Sequence, residues 1–471
     1  MKDLKIIGIS GIITFINIML LLMLSDSFYV LIFTIAIWSS IGVVGLLYLI
    51  FMRPDLLKFS YILAISILLG YGVGSLGPLL YNTEISVNFS DVVLFSNSFA
   101  TIIFTVLLLF LYGKLIEKNP ILFFFKNRLI AKKQDIFFLY LMLLIVIFYV
   151  LYGSFAVSPI QRVANIEAQN TNVSILDAYG AVFVLSIFPL GLALFIETNR
   201  RYLKFIILIP TIIDLIILLS ISRGRVLFGL TTGLIILHLV LMKKHVKFNV
   251  IKIAKRVFFV SLIIIPIAYF AMKWSTATKY VVDESLPGLE RTTTALNLVL
   301  AKDDRINERL QSTLENRTFI LKFYSLLQDT SFNKEPLLGG IFIESVKKAI
   351  PRIFGITKAP FSSDGLVMIH FGLPLTDEAD SILTAGVSDF GFIGAIFYPI
   401  FLILLIEISW SFIQNLRSIP IFFKYLCFSS YISLLLGIEI EINGYFSNIR
   451  NIFVLLFVIA VINYTFKPRK V

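Results

Sequence analysis

Two short stretches of this sequence hold most of the side chains that could do chemistry. The first is SRGR at 222–225, where Arg223 and Arg225 flank Gly224 in a tight turn between two apolar runs. The second runs from AIPRIFGITKAP at 349–360 to GLPLTDEADS at 372–381. It carries Arg352 and Lys358 among Pro351, Gly355 and Pro360, then His370, then Asp377, Glu378 and Asp380. Guanidinium forks bind phosphate bidentately and a glycine lets the backbone come close, so SRGR reads as a fixed anion site. Its plainer reading is snorkelling of both arginines to lipid phosphates. Helix-breaking residues around Arg352 and Lys358 make a rigid loop that can aim the two cations. The carboxylates have two readings. One is a helix N-terminus, with Thr376 or Asp380 as cap and the other acids favoured by the dipole. The other is a general base or a hydroxyl-binding group, a role for which Asp377, Glu378 and His370 are the candidates. His370 is equally read as a packed residue. Arg450, at the start of the last apolar run, either joins the arginines or pairs with Glu439 and Glu441.

These residues stand in an oily chain. Its 471 residues are 58% hydrophobic, and its mean hydropathy is +0.92. No soluble domain tolerates that surface, so the fold class is an all-α polytopic membrane protein. Twelve apolar runs are expected, at 6–24, 28–51, 59–80, 91–112, 136–156, 178–196, 204–221, 225–242, 256–272, 388–409, 421–440 and 450–466. They divide the chain into a nine-span part (1–272), an outer loop of amphipathic helices (273–387) and a three-span part (388–471). The even-numbered connections and both termini are basic, as in RPDLLK at 53–58, the lysines from Lys114 to Lys133, ETNRRYLK at 197–204 and KPRK at 467–470. The odd-numbered connections other than SRGR and the long loop are poor in Lys and Arg. The positive-inside rule then puts both termini in the cytoplasm and the long loop on the outer face. The net charge of +12 is mainly this orientation signal and calls for no nucleic-acid partner.

Other features carry expectations about packing. Asp214, inside the seventh run, needs a partner on another span. Gly70, Gly74 and Gly77 suggest close helix approach, and Pro78 a kink. Apolar positions from Leu296 to Leu327 follow helical spacing, and IFIESVKKAI at 341–350 is a third loop helix that stops at Pro351. The first run is taken as a retained span with no cleavage site after it. With one cysteine, Cys427, no intrachain disulfide is possible. No metal-ligand cluster is apparent, so no metal is expected.

In layout, and in the patches ISRGRVLFGL at 221–230, AIPRIFGITKAP at 349–360 and DEADSILTAGVSDFGFIGAIFYPIF at 377–401, the chain resembles bacterial O-antigen polymerases, the Wzy-type oligosaccharide repeat-unit polymerases. The resemblance implies a GT-C-like lipid-linked glycosyltransferase in the bacterial cytoplasmic (inner) membrane. Undecaprenyl-pyrophosphate-linked oligosaccharide would be its substrate. O-antigen, capsule or exopolysaccharide synthesis would be its setting. Membrane lipids, a chain-length regulator and a flippase would be its partners. Arg223, Arg225, Arg352, Lys358 and Arg450 would hold the pyrophosphate, and no cofactor would be needed. An O-antigen ligase shares this architecture. A flippase or transporter is the rival from a different class, but it would be expected to show internal repeats and midplane charges.

Overall fold

A computed structural model describes residues 19, 23–24, 27–51, 53, 56–81, 89–121, 132–152, 179–180, 182–221, 223–243, 266, 269–270, 273–274, 276–282, 286, 288–308, 320–350, 363–373, 380–438 and 440–465. These are helical, with no β-strand among the described residues. The principal helices are α1 (Phe28–Phe51), α2 (Phe59–Ile67), α3 (Gly74–Tyr81), α4 (Phe89–Leu115), α5 (Lys133–Tyr152), α6 (Ile187–Glu197), α7 (Arg201–Ile221) and α8 (Arg223–Lys243). They continue with α9 (Gly288–Leu300), α10 (Ile320–Asn333), α11 (Gly340–Ala349), α12 (Ser363–Phe371), α13 (Ile382–Asn415), α14 (Ile421–Leu436) and α15 (Ile442–Thr465). Among the described residues six stretches are long and apolar enough to cross a membrane, namely Phe28–Ile50, Phe59–Leu76, Asp91–Leu115, Lys133–Val150, Ile382–Asn415 and Ile442–Val461. The chain is thus a helical membrane protein, in which each span satisfies its own backbone. Ile187–Glu197, Phe228–Met242 and Ile421–Leu436 are shorter apolar helices. The runs expected at 6–24 and 256–272 fall largely outside the described residues.

Hydrogen bonds between helix ends gather the connections at two ends of the bundle. At one end Glu117, just past α4, accepts from the Phe59 and Ser60 N–H groups at 2.6 and 3.0 Å and so caps α2. Lys58 Nζ donates to the Glu117 carbonyl at 2.7 Å. Glu407 of α13 accepts from Tyr112 Oη at 2.5 Å and from the Lys118 N–H at 3.2 Å. His238 of α8 meets the Ile50 carbonyl of α1. The even-numbered connections near 53–58 and 114–120 therefore share one end, as the charge pattern requires of loops on one side of a membrane.

The opposite end is built on close backbone approach. Between α2 and α3 the chain makes a π-helical turn, Leu68–Val73, which aims Tyr71 into the core. A Cβ on Gly70 would strike Ile438, and one on Gly72 would strike Ser39. At Gly74, expected to pack closely, an added Cβ would meet no other helix that tightly, its nearest neighbour being the Leu69 carbonyl oxygen at 4.0 Å, an ordinary contact. Asp214 has the partner it needed, because its Oδ2 accepts from the Phe188 N–H at 3.0 Å and caps α6. Ser186, the N-cap residue of α6, uses its hydroxyl on Val182 instead.

The loop helices divide between two cores. α9 packs on a small cluster of Ala277, Val282, Ala295, Val299 and Ile306. α10 and α11 instead enter the main core of the membrane helices through Leu321, Tyr324, Leu327 and Ile341.

Candidate functional site

The carboxylate stretch enters α13, and the cap there is Ser381, not Thr376 or Asp380. The Ser381 hydroxyl accepts from the Leu383 and Thr384 N–H groups at 3.1 and 3.2 Å. Its own N–H donates to Thr384 Oγ1 at 2.7 Å and completes a capping box. Asp380 is buried beside it and accepts from the Ser381 N–H at 2.7 Å and from the Thr384 hydroxyl. Tyr71 Oη lies 2.6 Å from Ser381 Oγ, which ties the π turn to this cap. Tyr324 of α10 packs edge-on against Tyr71, with ring centroids 5.5 Å apart. Asp377 and Glu378 lie outside the described residues.

α13 then doubles back. Phe390 (φ −140°, ψ 20°) and Gly391 (φ 59°, ψ −143°) leave the helical region. The limb 382–389 packs against the start of the limb 392–415. The two meet at Gly386 and Gly394, where a Cβ on either would collide with backbone of the other. The small residues after DFG were expected to pack on a neighbouring helix, and the neighbour is the chain's own preceding limb. Positive φ with strongly negative ψ is close to a glycine-only conformation, which accounts for Gly391.

Asp389, at the fold-back, organises the loop. Its Oδ1 accepts from the Ile341 N–H at 2.9 Å, and its Oδ2 accepts from the Phe342 N–H at 3.0 Å and from the Tyr398 hydroxyl. The Leu337 and Leu338 N–H groups donate to the Ser388 and Asp389 carbonyls, each at 2.9 Å. Gly339, the N-cap residue of α11, takes the left-handed conformation at φ 89° and offers no side chain. A carboxylate at the positive end of the dipole fills that vacancy. Sequence reading passed over Asp389. Its one signal is an acid next to a phenylalanine–glycine pair at the head of an apolar run.

α11 lies as a crossbar between α13 and α15. Phe342 meets Tyr398, Phe401 and Phe446 with ring centroids 6.1, 5.4 and 5.5 Å apart. Arg450 of α15 holds the far end. Its Nη1 donates to the Ala349 carbonyl at 2.7 Å, and its Nε and Nη2 donate to Asn451 Oδ1 at 3.0 and 2.7 Å. Arg450 is half-buried, and these partners among the described residues are neutral. A guanidinium has five N–H donors and no acceptor, so this one keeps both spare donors and an uncompensated charge. Arg352, three residues beyond Ala349 in sequence, and Lys358 lie outside the described residues.

The remaining candidates are spread around this end. Arg223 and Arg225 fall in the first turn of α8, directly after α7, and the hairpin is confirmed by Leu218 facing Gly229. Phe228 of that helix reaches Gly437, whose carbonyl accepts from Tyr445 Oη at 3.1 Å. His370 is exposed, and its Nε2 lies 2.8 Å from the Glu335 carbonyl. It therefore attaches to the chain before α11 begins, whereas Arg450 attaches where α11 ends. No group of three His, Cys, Asp or Glu among the described residues is placed to hold a metal ion. No family model matches the chain, and no curated protein or solved structure matches it.

Proposed function

We propose that this chain polymerises undecaprenyl-pyrophosphate-linked oligosaccharide repeat units at the outer face of a bacterial cytoplasmic membrane. In this reading it has twelve spans, a GT-C-like layout, cytoplasmic termini and an outer loop over the site. The observation that carries it is Arg450: a half-buried guanidinium with neutral described partners, set where a loop helix meets a membrane helix. A diphosphate at the membrane surface is the anion such a group suits.

In the transfer, the acceptor sugar's hydroxyl oxygen forms a bond to the donor's anomeric carbon. The bond from that carbon to the diphosphate oxygen breaks, and undecaprenyl pyrophosphate leaves with the electron pair. The acceptor proton passes to a base, for which Asp377, Glu378 and His370 remain the candidates. Arg450, with Arg223, Arg225, Arg352 and Lys358, would stabilise the charge that grows on the leaving diphosphate.

The test is surface-glycan length in a deletion strain complemented with Arg223→Ala, Arg225→Ala, Arg352→Ala or Arg450→Ala. Each variant should insert normally and leave glycan of single repeat units. Arg450→Lys, which keeps the charge and loses the fork, should give intermediate lengths. Long chains in all four alanine variants would overturn the anion site. A deletion strain with no attached glycan at all would point to the ligase.

A further inference from the structure

The two ends of α11 are held in different ways. At the N-terminal end the grip is dense: Asp389 takes two backbone N–H groups and a tyrosine hydroxyl, Leu337 and Leu338 bond to 388 and 389, and Phe342 fills an aromatic pocket. Burial does not separate the two ends, since Ile341 and Ser345 are buried, Ile343 is exposed and the rest of the helix is part-exposed; the difference lies in the hydrogen bonds. At the C-terminal end Arg450 caps the Ala349 carbonyl, after which Ile350 leaves the helix in an extended conformation (φ −74°, ψ 133°).

We infer that α11 is a ligand-released latch, in which an anionic diphosphate takes Arg450 from the Ala349 carbonyl. This rests on the proposed function for the identity of the lipid, but its geometry is that of Arg450 and α11 alone. A carbonyl is a neutral, single-point acceptor for a guanidinium. A phosphate is charged, accepts from two N–H groups at once, and makes the stronger bond. Arg450 has spare donors to begin that exchange while still bonded to Ala349. Once the carbonyl is released, the last turn of α11 loses its positive cap. The first turn stays clamped by Asp389. The moving part is then the last turn, residues 346–349, and not the clamped first turn.

The experiment is amide hydrogen exchange on the full chain in nanodiscs containing undecaprenyl diphosphate, undecaprenyl monophosphate or neutral polyprenol. The diphosphate should speed exchange in residues 346–350 about tenfold and leave the Ile341 and Phe342 amides unchanged. The monophosphate should act weakly and the neutral alcohol not at all. Arg450→Gln and Arg450→Lys should show faster exchange at 346–350 without lipid and little further response. Unchanged or slower exchange at 346–350 with diphosphate in the wild-type chain would overturn the latch, as would equal loosening of both ends. Glycan length reports separately on polymerisation. A chain that fails to polymerise and still answers to diphosphate removes the function and keeps the latch. A chain that polymerises without that answer removes the latch alone.

Discussion

Replacing Asp389 should remove the clamp that joins the fold-back to α11, and the structure gives the size of the loss. In Asp389→Ala the Ile341 and Phe342 N–H groups and the Tyr398 hydroxyl lose their acceptor. Ile341 and Tyr398 are only 1% and 2% exposed, so water cannot replace the carboxylate. A buried donor left unpaired costs about 1–3 kcal/mol, and two such donors put the loss at roughly 4 kcal/mol. Asp389→Asn keeps one carbonyl oxygen but turns an amide N–H₂ toward the other donors, for about 1–3 kcal/mol. Tyr398→Phe removes a donor and leaves the carboxylate its backbone partners, so its cost should be about 1 kcal/mol. The order alanine, asparagine, then Tyr398→Phe is therefore fixed by who loses a partner. The assay is thermal unfolding of the purified chain in one detergent, with exchange of the Ile341 and Phe342 amides as the local readout. The Asp389→Ala midpoint should fall by several degrees, and those two amides should lose protection first. An Asp389→Ala chain that melts with wild type and keeps both amides protected would refute the clamp.

Further perturbations test three separate parts of the structure. Gly391→Ala places a side chain at φ 59°, ψ −143° and should cost about 1–3 kcal/mol, while Gly386→Ala, whose Cβ meets the immovable backbone of Gly394, should give little folded protein in a fluorescence size-exclusion test. Ser381→Ala removes the α13 cap and the Tyr71 partner together and should lower stability by about 1–2 kcal/mol, more than Tyr71→Phe in the same unfolding assay. Burial pushes the Glu117 carboxyl from 4.5 up to about 7, against the lowering effect of its bonds from Ser60 and Phe59 and with a further rise from Glu407. Below pH 4.5 both states are protonated and Glu117 costs nothing. The folded state holds the extra proton between those values, so stability should fall as pH rises through that window, by about 3 kcal/mol in all. Glu117→Gln should flatten the unfolding midpoint between pH 5 and pH 8, and an unchanged slope would count against the assignment.

The parts legible in the sequence are those set by one-dimensional quantities. Apolar length located the helices, because a span must satisfy its own backbone wherever lipid surrounds it. The stop at Pro351 marked the end of the third loop helix within a residue, and Asp214 announced that it needed a partner. The fold-back at Phe390 was not legible, because the run from 382 to 415 is apolar throughout and period alone cannot show a reversal. Its evidence was the pair Gly386 and Gly394, eight residues apart, too far to meet on one straight helix at 1.5 Å per residue. Ser381 was hidden among stronger-looking acids, although serine ranks with aspartate as a cap.

Asp389 shows why charge alone misdirects a search for chemistry. The acids and bases of the long loop read as reactive groups, yet this buried acid is spent on holding a helix by its N-terminus. The same helix has a cation at its other end, so α11 lies between an anion of α13 and a cation of α15, each on the side its dipole favours. The two contacts differ in what could replace them. No cation can substitute for the backbone donors that Asp389 receives, since they belong to the helix itself. Among the described residues Arg450 faces two neutral acceptors, the Ala349 carbonyl and Asn451 Oδ1, and a phosphate that reaches it is a better acceptor. A helix with one permanent and one exchangeable cap is stiff at the first and responsive at the second. That asymmetry ties the fold to the proposed chemistry, because the exchangeable end leads directly into the segment of Arg352 and Lys358.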